Sequence, residues 1–332
     1  MTGPRILAAD LGGTKADLAL YRVVDGELRA EREGRLPSAE YSGAGELLRA
    51  FAKQLPEPPQ MVCVGIAGAV RGERAHPPNL PWTVDTGELA EACGAERALL
   101  INDLVATAHG VLALPPTGYA ELQPGAADAT GTVAVIAAGT GLGQAALVWD
   151  RGGYRAMPSE GGHAGFAPVG EEQMALLQFL QAEFGRVSLE RVLSGPGLHN
   201  IYRFLLQTRR SRPAPEVAER LAGEDPGTVI GELGVVNADP TCARAVEVFC
   251  RIYGAAAGDL ALSVLATGGV YLAGGVAQKL LRVLETGGFR RAFAAKGRLS
   301  TLLEGVPVRV VLAPRTAVYG AGRYAAEEGG WL

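Results

Sequence analysis

The chain opens with an apolar run, Ile6 to Ala9, that stops at Asp10, meets Gly12-Gly13-Thr14 and resumes as Ala16-Asp17-Leu18-Ala19-Leu20-Tyr21. Apolar stretches on both sides of a glycine turn, the second of them alternating, predict strand, turn, strand. The pattern returns further on. Val133 to Ile136 predicts a strand, Gly139-Thr140-Gly141-Leu142-Gly143 a turn, and Ala145 to Trp149 the return strand. Two such hairpins predict an internally duplicated α/β fold.

Between the hairpins, Leu47, Leu48, Phe51 and Leu55 share one helical face, Met61 to Ile66 predicts a buried strand, and Leu99 to Ile101 predicts a short strand ending in Asn102-Asp103. Val105 to Leu114 then predicts a helix, and Pro115-Pro116 marks a crossing point between domains. Helical periodicity dominates afterwards, at Glu171 to Phe184, Pro196 to Leu206 and Pro240 to Leu265. A strand at Gly269 to Leu272 leads through Gly274-Gly275 to a helix around Gln278 to Leu284. Val308 to Leu312 predicts a last strand and Thr316 to Glu327 a closing helix. The segment Gln207 to Gly227, with Arg209, Arg210, Arg212 and three prolines, reads as a solvated loop.

Composition narrows the picture. With 332 residues, 48% hydrophobic and 20% charged, the chain is neither disordered nor low-complexity, and its 46 glycines serve turns. A formal net charge of −4 leaves no cationic excess for a nucleic-acid or acidic-membrane surface. Cys63, Cys93, Cys242 and Cys250 form no C-x-x-C pair, which argues against a zinc or disulfide framework. No basic leader precedes a long apolar run and no stretch reaches bilayer length, so a cytoplasmic protein is expected.

Backbone N–H groups of a glycine turn can converge on an anion, because the missing Cβ permits close approach. Phosphate is the natural guest. Neither turn carries G-x-x-x-x-G-K-[ST], and both lead into strands, which excludes a Walker A loop. Gly141-Leu142-Gly143-Gln144-Ala145-Ala146 satisfies the dinucleotide fingerprint, but Ala145 to Trp149 is too short and too rich in strand formers for the helix that fingerprint needs. Asp10 adds a carboxylate placed to hold Mg²⁺ through water, and Lys15 can reach a phosphate oxygen. Gly274-Gly275 can let a nucleoside lie against bare backbone or can serve plain strand-to-helix packing.

Asp103, where a buried strand gives way to a helix, is a candidate general base or the helix N-cap, and only one of Asn102 and Asp103 can be that cap. Glu160-Gly161-Gly162-His163 joins an acid and an imidazole across two glycines, a pair suited to sugar hydroxyls. With His76, His109, His163 and His199 scattered, no metal-ligand spacing is present. Glu190 is either a first-turn acid behind the cap residue Ser188 or a second hydroxyl acceptor.

In order, Asp10-Leu11-Gly12-Gly13-Thr14, Ile101-Asn102-Asp103, Ala138-Gly139-Thr140-Gly141-Leu142-Gly143, Glu160-Gly161-Gly162-His163, Glu190 to Leu198 and Ala273-Gly274-Gly275 resemble the bacterial glucokinase family. The resemblance implies the α/β actin-like ATPase (ribonuclease H-like) fold: a small domain of residues 1–113 plus 314–332, a large domain of 114–313, and a central cleft. It implies transfer of phosphate from ATP, with Mg²⁺, to the 6-hydroxyl of glucose, feeding glycolysis, by a protein expected to be a homodimer. It makes Asp103 the catalytic base and Asn102, Glu160, His163 and Glu190 the sugar ligands. Asp10, Gly12, Gly13 and Thr14 become the first phosphate turn, with Asp10 the magnesium ligand, Thr140 and Gly141 the second turn, and Gly274 and Gly275 the adenosine contact. Lys15 and Asn79-Leu80-Pro81-Trp82 resemble instead the related repressor, open-reading-frame and kinase (ROK) proteins, whose zinc-binding cysteine cluster is absent here. A kinase for mannose or glucosamine, or a non-catalytic sugar-sensing regulator, are the alternatives. The regulator requires a DNA-binding module, and only Met1 to Arg5 precede the first strand.

Overall fold

The computed structural model describes residues 3–77, 79–208 and 212–332. Its contacts divide the chain into two compact units, Met1–Pro116 with Ala156–Pro158 and Ala313–Leu332, and Thr117–Arg155 with Ser159–Leu312.

The first unit is built on strands β1 (Arg5–Leu11), β2 (Lys15–Val24), β3 (Glu27–Pro37) and β4 (Met61–Ile66), the short strands β5 (Val70–Arg71), β6 (Arg74–Ala75) and β7 (Val84–Asp85), and β8 (Arg97–Asn102). Its main sheet has the order β3-β2-β1-β4-β8, with β1, β4 and β8 parallel and β2 and β3 antiparallel. Both faces are covered, as a parallel sheet requires. Leu7, Ala9 and Leu11 pack with helices Ala44–Ala52 and Thr86–Cys93, while Ile6 and Ala8 pack with helices Asp103–Val111 and Thr316–Glu328. These last two helices cross at glycines. A Cβ on Gly320 would lie 1.8 Å from the Ala106 carbonyl oxygen, and one on Gly110 would lie 2.2 Å from that of Thr316.

A second sheet contains β9 (Tyr119–Gln123), β10 (Val133–Ala138), β11 (Leu142–Asp150), β12 (Gly153–Ser159), β13 (Gly269–Ala273) and β14 (Val308–Val311), in the order β12-β11-β10-β13-β14-β9; all of it but Ala156–Pro158 of β12 belongs to the second unit. Here β10, β13 and β14 are parallel, β11 returns antiparallel, and β9 adds an antiparallel edge. Five strands of each sheet follow the same plan: a hairpin on one side of the first strand and two parallel neighbours on the other. The expected duplication is thus present. Helix Pro240–Val264 forms the spine of this core; Asp239 caps it by accepting from the Thr241 and Cys242 N–H groups at 2.9 and 2.7 Å, and Tyr253 donates to the Ile136 carbonyl at 3.1 Å. The four cysteines are buried free thiols. Among the described residues, no helix is long and apolar enough to cross a membrane.

Several expectations are corrected. The segment Gln207 to Gly227 is not simply a solvated loop: it holds helix Pro215–Gly223, buries Val217, and runs into helix Pro226–Val235. Pro215 and Pro226 stand at the start of helices, where a proline has no N–H to lose. Arg209 and Arg210 lie outside the described residues. The helix around Gln278 to Leu284 is two short ones, Gly275–Lys279 and Leu281–Leu284, broken at Leu280. Strand β3 and helix Thr86–Cys93 escape the hydrophobic pattern, because β3 is an exposed edge of mostly charged residues and the helix is only eight residues long with its buried positions confined to Leu89, Ala92 and Cys93.

The glycine crossing is testable by stability. Gly320→Ala should lower the free energy of unfolding by about 1–3 kcal/mol, read as a lower midpoint in chemical denaturation. An unchanged midpoint would show that the two helices separate at little cost.

Candidate functional site

Within each unit, candidate residues stand at the carboxyl ends of parallel strands, Asp10 on β1 and Asn102-Asp103 at β8 in the first, and the Gly139 turn after β10 and Gly274 after β13 in the second. In the first unit, β1 and β2 pair as far as Leu11 with Ala16, leaving Gly12 to Lys15 as the connecting turn. The Gly12 N–H closes it on the Lys15 carbonyl at 3.0 Å. Ser38 braces it from outside, its hydroxyl donating to the Gly12 carbonyl at 2.7 Å and its N–H to that of Thr14 at 3.0 Å. The Gly13 and Thr14 N–H groups make no hydrogen bond among the described residues, and both residues are exposed. Gly13 also lies tight against Asn79, whose Cβ and carbonyl oxygen stand 3.1 and 3.2 Å from where a Cβ would be.

The second unit repeats the device. β10 and β11 pair as far as Ala138 with Leu142, and the Gly139 N–H closes the turn on the Gly141 carbonyl at 2.9 Å. The Thr140 and Gly141 N–H groups make no hydrogen bond among the described residues. In each turn the first glycine spends its donor on closure, and the N–H groups of the next two residues make no hydrogen bond among the described residues. Gly12 is therefore a shaping residue, whereas Gly13, Thr14, Thr140 and Gly141 carry available donors. Two converging N–H groups make an anion-binding concavity.

Gly274 follows β13 at φ +83°, and a Cβ there would stand 2.3 Å from the Ala138 carbonyl oxygen. Only glycine fits so close to the base of the second turn. Gly275 begins the short helix Gly275–Lys279 and has open space where a side chain would be.

Asp10 and Asp103 face a shared electrostatic problem. Asp10 pairs with Gly65, which pairs with Ile101, next to Asn102 and Asp103. Gly65 leaves room: a Cβ there would lie 3.2 Å from that of Ala106 and 3.8 Å from Asp10 Oδ1. Burial, then the carboxylates of Asp103 and Asp17, push the Asp10 carboxyl up to about 7 against the opposing Lys15 ammonium. Asp17 is itself gripped by Arg35 at 2.7 and 3.0 Å, with Arg315 at 3.8 Å. A carboxyl so disfavoured as an anion invites a cation. Among the described residues no group of three or more His, Cys, Asp or Glu is arranged to hold a metal, so any cation at Asp10 must keep water or take ligands from a phosphate.

Asn102 is the N-cap of helix Asp103–Val111, its Oδ1 accepting from the Leu104 and Val105 N–H groups at 2.9 and 3.3 Å, which removes the N-cap reading of Asp103. Its Nδ2 donates to the Gly68 carbonyl at 3.1 Å, leaving one N–H for a ligand. Asp103 occupies the first helical position, half-buried, with Oδ1 2.8 Å from the Leu104 nitrogen.

In the second unit, two segments converge on Leu142. Glu160 and His163, both exposed, flank a 3₁₀ turn in which a Cβ on Gly162 would lie 1.9 Å from the Leu142 carbonyl oxygen. The strip after His163 is tied to the strip before Glu190 by Leu189 N–H to the Ala164 carbonyl at 2.8 Å and Phe166 N–H to that of Val187 at 3.0 Å. Glu190 is a first-turn acid of a short 3₁₀ helix with Ser188 at its N-cap position, although the Ser188 side chain makes no capping bond. The Glu190 carboxylate Oε2 accepts from the Leu142 N–H at 2.9 Å. The bracing by Ser38, the gap at Gly65 and the Glu190–Leu142 bond were not read from the sequence. The first had a signal, a serine after a proline at a strand end; the other two join residues distant in sequence and had none.

Comparison with known proteins follows from this geometry. The family model described as Glucokinase matches residues 7–328. A glucokinase of Trichormus variabilis is 38% identical over 337 residues, spanning 97% of this chain and 98% of the relative. The crystal structure of a glucokinase from an Antarctic psychrotroph matches at TM-score 0.87 and 30% identity, over 98% of this chain and 100% of that one. A ROK family glucokinase from Streptomyces griseus, solved with glucose and AMPPNP, shares the fold at TM-score 0.65 and 21% identity, over 97% of this chain and 99% of that one.

The raised Asp10 carboxyl sets a pH dependence of stability. Between about pH 4 and 7 the folded protein holds a proton that the unfolded chain has released, so rising pH costs stability across that window. Asp10→Asn should therefore make the ligand-free protein more stable than the parent at pH 8, by on the order of 1 kcal/mol, and equal to it near pH 4. Thermal unfolding at the two pH values checks this; a variant no more stable at pH 8 would contradict it.

Proposed function

Because the chain belongs to the glucokinase family, we propose that it transfers the γ-phosphoryl group of ATP to the 6-hydroxyl of glucose, giving glucose 6-phosphate and ADP. Its architecture is the actin-like ATPase fold, shared with glucokinases and ROK sugar kinases. The observation that carries the reading is the pairing state of the two turns: each spends one N–H on its own closure and leaves two, at Gly13 and Thr14 and at Thr140 and Gly141, for phosphate oxygens.

In this reading Asn102, Glu160, His163 and Glu190 are the sugar ligands and Asp103 is the base. The spare Nδ2 proton of Asn102 donates to a hydroxyl, and Glu160 and Glu190 accept from hydroxyls. Asp103 accepts the proton of the 6-hydroxyl as its oxygen bonds to the γ-phosphorus and the bond from that phosphorus to the bridging oxygen of ADP breaks. The acceptance is worth about 10²–10⁴ in rate, and alignment with charge stabilisation supplies the rest. Gly274 and Gly275 let the nucleoside approach bare backbone.

Mg²⁺ belongs to the proposal, because Asp10 offers a disfavoured carboxylate without a surrounding cage of ligands, as suits an ion that keeps its water. When bound, the ion neutralises charge on the phosphates. A cytoplasmic homodimer is the arrangement the family leads us to propose. Support for glucose over another hexose comes from the relatives' common name.

Asp103→Asn tests the catalytic assignment. Turnover, followed by coupling glucose 6-phosphate to its dehydrogenase, should fall by about 10²–10⁴, with the thermal midpoint close to that of the parent. Near-normal turnover would remove Asp103 from the role of base.

A further inference from the structure

We infer that Glu190 positions the nucleotide as well as contacting the sugar: its Oε2 holds the Leu142 N–H and so keeps the second phosphate turn in the form that presents the Thr140 and Gly141 donors. The inference rests on the kinase reading above and extends it to a link between the two substrates.

Three observations converge. The turn Gly139 to Gly141 is clamped at both ends by one short stretch of chain: Leu142 N–H donates to Glu190 Oε2 at 2.9 Å, and Gly195 N–H donates to the Gly139 carbonyl at 2.8 Å. That stretch is itself rigid, because the Ser194 hydroxyl donates to the Glu190 carbonyl at 2.8 Å and accepts from the Gly197 N–H at 3.0 Å. The approach is close: a Cβ on Gly141 would lie 2.7 Å from Glu190 Oε2, so a side chain there would push the carboxylate off its present position.

The arrangement divides the work of one carboxylate. Oε2 is committed to Leu142, and Oε1 has no hydrogen bond among the described residues, so it remains for a sugar hydroxyl. A hydroxyl on Oε1 fixes the rotamer that holds Leu142, and a phosphate on Thr140 and Gly141 fixes the turn that holds Glu190. Each substrate therefore binds better with the other present, and by equal factors, as linkage requires.

The test measures affinity by titration calorimetry, for a non-hydrolysable ATP analogue without sugar and for glucose without nucleotide, in the parent, Glu190→Ala and Glu190→Gln. Loss of a hydrogen bond to a charged group predicts analogue binding weaker by about tenfold in the alanine variant. The glutamine variant should stay within about threefold of the parent, because its amide oxygen can accept from Leu142 while its NH₂ faces the sugar. Glucose binding should weaken in both. An alanine variant that binds the analogue as tightly as the parent overturns the inference, as does a glutamine variant as weak as alanine. If the glucose titration alone is unaffected, Glu190 is no sugar ligand and the proposed link between the two substrates is overturned. Should the alanine variant fail to fold, Gly141→Ser serves instead: its Cβ displaces Oε2, and undiminished analogue affinity in it overturns the inference equally.

Discussion

A hairpin turn has more backbone donors than it can satisfy internally, and this structure depends on how that surplus is divided. In each unit the first glycine of the turn closes it, Gly12 on Lys15 and Gly139 on Gly141, and the following two N–H groups make no hydrogen bond among the described residues. Were the closing bond absent, the turn would have no fixed shape. Were all donors paired, it would have nothing to offer. The rest of each unit serves to hold these short turns still: Ser38 in the first, and the Glu190 to Gly195 stretch in the second.

The parallel strands set where the chemistry falls. Because β1, β4 and β8 run together, Asp10 and the Asn102-Asp103 pair emerge at the same edge, separated by a strand whose Gly65 removes the intervening side chain. The result is a concentration of carboxylates that disfavours ionisation of Asp10. Arg35 and Arg315 neutralise Asp17 and limit the cost. In the proposed reading, a divalent cation carrying phosphates would relieve the remainder.

Much of the scaffold was legible because it obeys short periods. Met61 to Ile66 is read residue for residue, and both hairpins follow from apolar runs around glycines. Edge strand β3 was not legible, since a strand that buries almost nothing carries no hydrophobic signal. Pro215 and Pro226 misled because proline breaks a helix inside it and starts one at its first position. At the site, residue types pointed to phosphate and sugar, but the reading of Asp103 as a helix cap did not survive, and Ser188 sits at its N-cap position without a side-chain bond. Asn102 took the cap, and Glu190 turned to Leu142, a partner 48 positions away that no local rule reaches.

The most direct measurement is the crystal structure of the protein with glucose, magnesium and a non-hydrolysable ATP analogue. The account predicts phosphate oxygens within about 2.7–3.2 Å of the Gly13, Thr14, Thr140 and Gly141 nitrogens, with Gly12 and Gly139 still closing their turns. A triphosphate bound elsewhere, with those four nitrogens facing water, would contradict it.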